Sequence, residues 1–200
     1  MQVKFKPMGQ YATNCYILNV DNKEFIIDPG VDATNWVKKN TKNPVAILNT
    51  HGHFDHVWSN KELSQELNIP IYCPKDDAFM LQKDPFGYGV PPSRANFLVE
   101  PDSKVVIEGV EFTFWHFPGH TPGNSVIEYK DIWFSGDFLF DGSIGRWDFR
   151  YSSAKDMVSS LQKLKKFKKD KKVLPGHGGS TTLSKELKTI DSWIRYVQGS

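Results

Sequence analysis

One run constrains this chain more than any other: Thr50-His51-Gly52-His53-Phe54-Asp55-His56, placed directly after the apolar stretch Val45-Ala46-Ile47-Leu48-Asn49. A buried strand that ends in four ligand-type side chains lets them converge only if the chain turns at its tip. His51 and His53, two apart, share one side of an extended segment. Asp55 and His56 then project after the bend. Neutral imidazole and carboxylate are the donors expected for zinc and related first-row ions. The competing reading is a polar loop whose histidines are solvated. Three histidines in six residues, in a chain that holds six altogether, count against it.

The same device recurs downstream. Phe117-Pro118-Gly119-His120-Thr121-Pro122-Gly123 sets one histidine among glycines and prolines that fix a tight backbone course at a strand end. Gly136-Asp137 follows the apolar run 132–135, and Leu174-Pro175-Gly176-His177-Gly178 again pairs a short apolar strand with a glycine-flanked histidine. Each alone reads equally as an ordinary turn. Together they place five of six histidines at strand ends, and the sixth, His116 inside Phe-Thr-Phe-Trp-His-Phe, reads as a packing residue.

The rest of the pattern is strand-rich with scattered helices. Strands are expected at 3–6, 15–20, 24–28, 45–49, 70–73, 104–107, 110–117, 125–129, 132–135 and 172–174, with Asp21-Asn22 as a hairpin turn. Helices are expected at 33–39, 59–67, 75–82, 152–167 and 183–197, the last two from apolar residues at helical spacing. That mixture suits two packed sheets with helices outside. Residues 83–97, broken by Pro85, Gly87, Gly89, Pro91 and Pro92, form a long loop: a lid or pocket wall, or a passive surface excursion.

Composition narrows the function classes. Two hundred residues suit one domain, taken as 1–198, with Gly-Ser at 199–200 read as a non-native tail. Apolar and charged fractions of 39% and 24% are those of a globular protein rather than a disordered one. A formal charge of +2 calls for no polyanionic partner. The lysines at 163, 165, 166, 168, 169, 171 and 172 are basic enough for nucleic acid or an anionic membrane, but read better as a solvated helix face. Cys15 and Cys73 sit in apolar surroundings and read as buried reduced thiols. No apolar run approaches the ~20 residues of a membrane span, and the opening Met-Gln-Val-Lys-Phe-Lys-Pro lacks a signal peptide's apolar centre. A cytoplasmic protein is the expectation.

The sequence resembles the metallo-β-lactamase fold superfamily, with its HxHxDH motif and later single His, Asp and His ligands. It looks most like compact hydroxyacylglutathione hydrolase (glyoxalase II)-like proteins, on Thr-Asn-Cys-Tyr (13–16), Ile-Asp-Pro-Gly (27–30), Gly-His-Thr-Pro-Gly (119–123), Gly-Asp-Phe-Leu-Phe (136–140), Ser-Ile-Gly-Arg (143–146) and Pro-Gly-His-Gly (175–178). The resemblance implies an α+β fold, a four-layered αββα sandwich with metals at one edge. It assigns His51, His53 and His120 to a first divalent ion and Asp55, His56 and His177 to a second, with Asp137 bridging them. Zinc is the expected metal; iron and manganese suit the same donors. Asp28 is a candidate for orienting a ligating histidine, or a turn former before Pro29-Gly30.

Implied with this is hydrolysis of a small-molecule thioester, such as S-lactoylglutathione or another acyl-thiol. A bound divalent ion acidifies water to a pKa of about 7 and so supplies hydroxide at neutral pH. Asp55 orients it as the catalytic carboxylate. Arg146 and Trp147 are expected at the substrate entrance, with Phe86, Tyr88 and Arg94 from the long loop opposite. Two departures from the family pattern bear on the thiol: the chain ends before any glutathione-binding helical domain, and the usual Gly-Arg-Thr-Asp is Gly145-Arg146-Trp147-Asp148. The first rival is a mononuclear iron persulfide dioxygenase on the same fold, with iron on His51, His120 and Asp137. A nucleic-acid-processing hydrolase using the lysine stretch and a non-catalytic metal protein rank below it.

Overall fold

The computed structural model describes residues 1–199, so the expected Gly-Ser tail falls in part outside the described residues. The chain opens with β1 (Gln2–Met8), β2 (Thr13–Val20) and β3 (Lys23–Ile27), joined in antiparallel register. Asp21 and Asn22 both take positive φ, 49° and 61°, which matches the primed turn that suits strand twist. Then come α1 (Ala33–Asn40), β4 (Pro44–Leu48), a short α2 (Phe54–Val57), α3 (Asn60–Leu67), β5 (Ile71–Pro74), α4 (Ala78–Lys83) and β6 (Phe97–Val99). The six strands form one sheet in sequence order, and β3 through β6 run parallel.

The second half repeats the plan. It contains β7 (Ser103–Ile107), β8 (Val110–His116), β9 (Ser125–Tyr129), β10 (Ile132–Gly136), a small hairpin of β11 (Leu139–Phe140) and β12 (Ser143–Ile144), α5 (Ala154–Leu164), β13 (Lys172–Pro175), β14 (Thr181–Thr182), α6 (Leu183–Glu186) and α7 (Ile190–Gln198). The second sheet is ordered β14-β13-β10-β9-β8-β7.

Alternation along the strands divides the core into three layers. Tyr16, Leu18, Phe25, Leu48, Phe112, Phe114 and Phe134 fill the space between the sheets. Ala33, Val37 and Leu63 of α1 and α3 close the outer face of the first sheet. Met157, Leu161, Leu164, Ile190, Ile194 and Val197 of α5 and α7 close that of the second. The result is the expected αββα sandwich.

Two expectations need correction. The closing helix is not continuous over 183–197: α6, capped at its start by Thr182 accepting from Lys185 N, ends at Glu186, and α7 begins at Ile190. The 83–97 segment ends in β6, an apolar strand of three residues, Phe97-Leu98-Val99, too short to show a period in the sequence. Lys163, Lys165, Lys169 and Lys171 pair with Asp102, Asp191, Asp131 and Glu128, so this part of the lysine stretch is charge-matched within the fold. Among the described residues no helix is long and apolar enough to cross a membrane.

Candidate metal centre

Topology brings the four loops together. In the first sheet β3, β4 and β5 are parallel, so Asp28, the His51–His56 turn and the residues after β5 leave from the same edge. In the second, β8 and β10 each pair antiparallel with β9, and β10 runs parallel to β13. The ends of β8, β10 and β13 therefore carry His120, Asp137 and His177 to that edge too. Cross-loop backbone bonds fix the approach: Ser125 N donates to Thr50 O at 2.9 Å and Gly176 N to Gly136 O at 2.8 Å.

Two donor triads result. His51, His53 and His120 place one ligand atom each within 4.8 Å of one another, and so do Asp55, His56 and His177. Asp137 lies between them: its Oδ1 is 3.3 Å from His56 Nε2, and its Oδ2 is 3.5 Å from His120 Nε2 and 3.4 Å from His177 Nε2. A third grouping, Asp28 with His51 and His56, is also close. Asp28, however, is already engaged, accepting from Thr50 N at 2.8 Å, from Thr50 Oγ1 at 2.6 Å and from His56 Nδ1 at 3.0 Å. It orients rather than joins the donors.

The ring orientations follow one rule. His56 is tied through Nδ1 to Asp28, His51 through Nδ1 to Thr50 Oγ1, His120 through Nδ1 to Arg146 O and His177 through Nδ1 to Tyr11 O. Each outward bond fixes the tautomer and leaves Nε2 facing the centre. His53 is the exception and presents Nδ1, 2.9 Å from His120 Nε2. Buried His51 Nε2, His56 Nε2 and Asp137 Oδ1 have no hydrogen-bond partner. Buried polar atoms left without partners around a common point are costly unless a cation serves as the partner, so these side chains fit a divalent-metal site.

Electrostatics prepare the same states. Burial, reinforced by His56 and His53, holds His51 neutral, its pKa well below the ordinary value. Burial and His120 lower His53 to about 3, and burial lowers His120. Asp55 is held down at about 2 and Asp137 well below the carboxylate range: burial opposes this, and the neighbouring His56 and His177 outweigh it. His177 goes up to about 9, its bonds to Asp137 and Asp55 overcoming burial, and His56 rises by the same opposition. Ionised carboxylates and neutral imidazoles are the forms a metal requires, and the protons held by His56 and His177 are those it would displace.

The remaining motif residues brace this arrangement. Thr13 Oγ1 donates to Asp55 Oδ2 at 2.7 Å, while Asn14 and Tyr16 donate to Pro175 O at 3.0 and 2.6 Å. At Gly176 a Cβ would collide with Asp137 Oδ1 and stand 2.7 Å from His56 Cε1, so only glycine lets that loop close over the carboxylate.

A cavity of about 460 Å³ opens above the donors, lined in part by Phe86, Tyr88 and Arg146. Trp147 does not line it: its ring packs against Tyr196 at 5.8 Å in the helical layer. Arg94 is exposed and outside the lining. His116 stands apart, its Nε2 2.8 Å from Pro122 O. Missed from sequence is Asp77, buried after β5, which accepts from Gly52 N, Thr121 Oγ1 and Gly123 N and joins two histidine loops. Its one sequence signal is an acid shortly after a short apolar strand.

Comparison with known proteins agrees with this geometry. Residues 8–177 match the family model of the metallo-beta-lactamase superfamily. The hydroxyacylglutathione hydrolase GloC of Haemophilus influenzae is 31% identical, over 94% of this chain and 96% of its own. The crystal structure of the B3 metallo-β-lactamase BLEG-1 superposes with a TM-score of 0.84 at 32% identity, covering 94% of this chain and 97% of that one. A protein crystallised in a di-iron-bound form superposes at 0.79 with 31% identity, covering 90% and 95%. The chain belongs to the metallo-β-lactamase superfamily of hydrolases, with a His/Asp cluster of the kind that binds divalent metals.

Proposed function

We propose that this protein is a thioester hydrolase that holds two divalent ions, zinc by preference, and acts on small acyl-thiols such as S-lactoylglutathione. The observation that carries the reading is the convergence of two donor triads with Asp137 between them, at the floor of an open cavity. His51, His53 and His120 would hold one ion, Asp55, His56 and His177 the other, and Asp137 would reach both. Bound ions there would supply Lewis acidity at the scissile carbonyl and water acidified to a pKa of about 7.

The protein's own groups do the positioning. Asp28 and Thr50 fix the rings of His56 and His51. Asp55, its Oδ2 pinned by Thr13, orients the attacking water. Among the described lining residues Asp55 and Asp137 are the only carboxylates, and both belong to the donor set, so no carboxylic acid is free to protonate a leaving group. A thioester suits that limitation, because thiols with pKa near 8.5 leave as thiolates.

Metal analysis of the purified protein, run beside S-lactoylglutathione hydrolysis, tests the reading. About two equivalents of metal with turnover supports it. One iron, with oxygen uptake on glutathione persulfide and no thioester cleavage, replaces it with a dioxygenase. Nitrocefin turnover without thioester cleavage replaces it with the β-lactamase activity named for BLEG-1.

A further inference from the structure

The cavity over the donor cluster has walls whose chemistry differs from its floor. His53, Asp55, His120, Asp137 and His177 form the floor. The walls are rings: Phe54 and Tyr88 stack at 4.0 Å, and Phe86 stands edge-on to His53 at 5.2 Å. Phe149 lies 5.9 Å from His120, and Phe140 lies 6.3 Å from His177.

The two cations at the mouth are turned to other work. Arg146 is held by Asp148 at 2.8 and 2.7 Å and lies over Phe149. Arg150 donates to Pro85 O at 2.9 Å and lies over Tyr151. Inside the walls a substrate meets mainly ring faces and edges; the polar side chains above the floor are the phenols of Tyr11 and Tyr88, the Ser143 hydroxyl and the two arginines at the mouth. A volume of about 460 Å³ falls in the range of pockets that enclose drug-sized ligands. A two- or three-carbon acyl group can reach the floor but leaves most of this volume unfilled, and a longer apolar chain would occupy it. Biological thiols are polar and are best left at the mouth, in water.

We infer that the cavity selects thioesters whose acyl part is an apolar chain of medium length, with the chain among the rings and the thiol carrier at the rim. Turnover of such substrates rests on the hydrolase reading above; binding of the chain does not. Each methylene moved from water into an apolar wall strengthens binding roughly threefold to fourfold until the space is full.

The test separates the two readings. Metal-reconstituted protein is titrated with S-methyl, S-butyl and S-hexyl glutathione, which cannot be hydrolysed, by calorimetry. The expected Kd falls more than about 50-fold from methyl to hexyl. A Kd constant within about threefold overturns the inference. Tyr88→Ala, at a position 53% exposed and so tolerant of truncation, is expected to flatten the dependence on chain length without moving Tm or metal content; full retention of that dependence overturns the placement of the chain. Then kcat/KM is measured for acetyl, butyryl and hexanoyl thioesters of glutathione. Rising values support both readings. Length-dependent binding without any cleavage refutes the hydrolase reading alone, and cleavage with flat binding and flat rates refutes this inference alone.

Discussion

Asp77→Asn discriminates between a carboxylate that merely fills the core and one that sets the distance between two metal-ligand loops. Asp77 Oδ2 accepts from Gly52 N at 2.9 Å and Thr121 Oγ1 at 2.6 Å, and Oδ1 accepts from Gly123 N at 2.6 Å. It thus joins the His51/His53 loop to the His120 loop. An amide must aim its NH₂ at one set of donors. Aimed at Gly123 it orphans a single N–H, at about 1–3 kcal/mol. The gain runs the other way. Burial pushes the Asp77 carboxyl up to about 6, although the three donors favour its ionised form. Carrying the buried charge at neutral pH therefore costs about 3 kcal/mol relative to the neutral acid.

The sign of the pH dependence follows. The folded pKa lies above the unfolded one, so this group's contribution is most favourable below about pH 4 and is lost as pH rises through about 6. The Asn variant lacks that titration. It is expected to be within about 2 kcal/mol of wild type at pH 7.5, and to fall further behind, by up to about 3 kcal/mol, at pH 4. Urea unfolding of both proteins in EDTA at pH 4, 6 and 7.5 measures this. With metal restored, competition with a chelator is expected to show roughly tenfold weaker binding, as for groups that support metal ligands. A stability gap that is the same at all three pH values, or unchanged metal retention, refutes the assignment.

Other perturbations probe the rest of the site. Asp28→Asn removes the charge that supports His56 and turns an NH₂ either on Thr50 N–H or on both His56 Nδ1–H and the Thr50 hydroxyl; metal affinity is expected to drop about 10- to 100-fold by chelator competition, with hydrolysis falling in step. Gly176→Ala drives a Cβ into Asp137 and against His56, costing about 1–3 kcal/mol of stability and at least one equivalent of metal, read by thermal melting and metal analysis. Removing metal strips the partners of His51 Nε2, His56 Nε2 and Asp137 Oδ1; chelation is expected to lower Tm by roughly 5–10 °C, and an unchanged Tm would show that these groups hold no ion.

The donors were legible because the chemistry that needs them is local in sequence: a histidine beside glycine at the end of an apolar strand is visible in a dozen residues. What was not legible depends on strand order. Asp77 follows β5, and it reaches the histidine loops only because β5 lies parallel to β4 in the same sheet; an antiparallel β5 would send the same residue to the opposite edge. Trp147 misled for a related reason. Its neighbour Arg146 faces the cavity, but successive side chains point opposite ways in extended chain, and the turn after β12 gives the indole to α7 instead. The aromatic wall was half visible, through Phe86 and Tyr88 in a long irregular loop. Its other half, Phe54 of α2, Phe140 of β11 and Phe149 after β12, comes from three separate segments whose ring contacts no spacing encodes. Catalytic donors are thus written in short motifs, while the walls that select a substrate are written in topology. That is why the donor set can be read from residues alone, and the walls above it only from the fold.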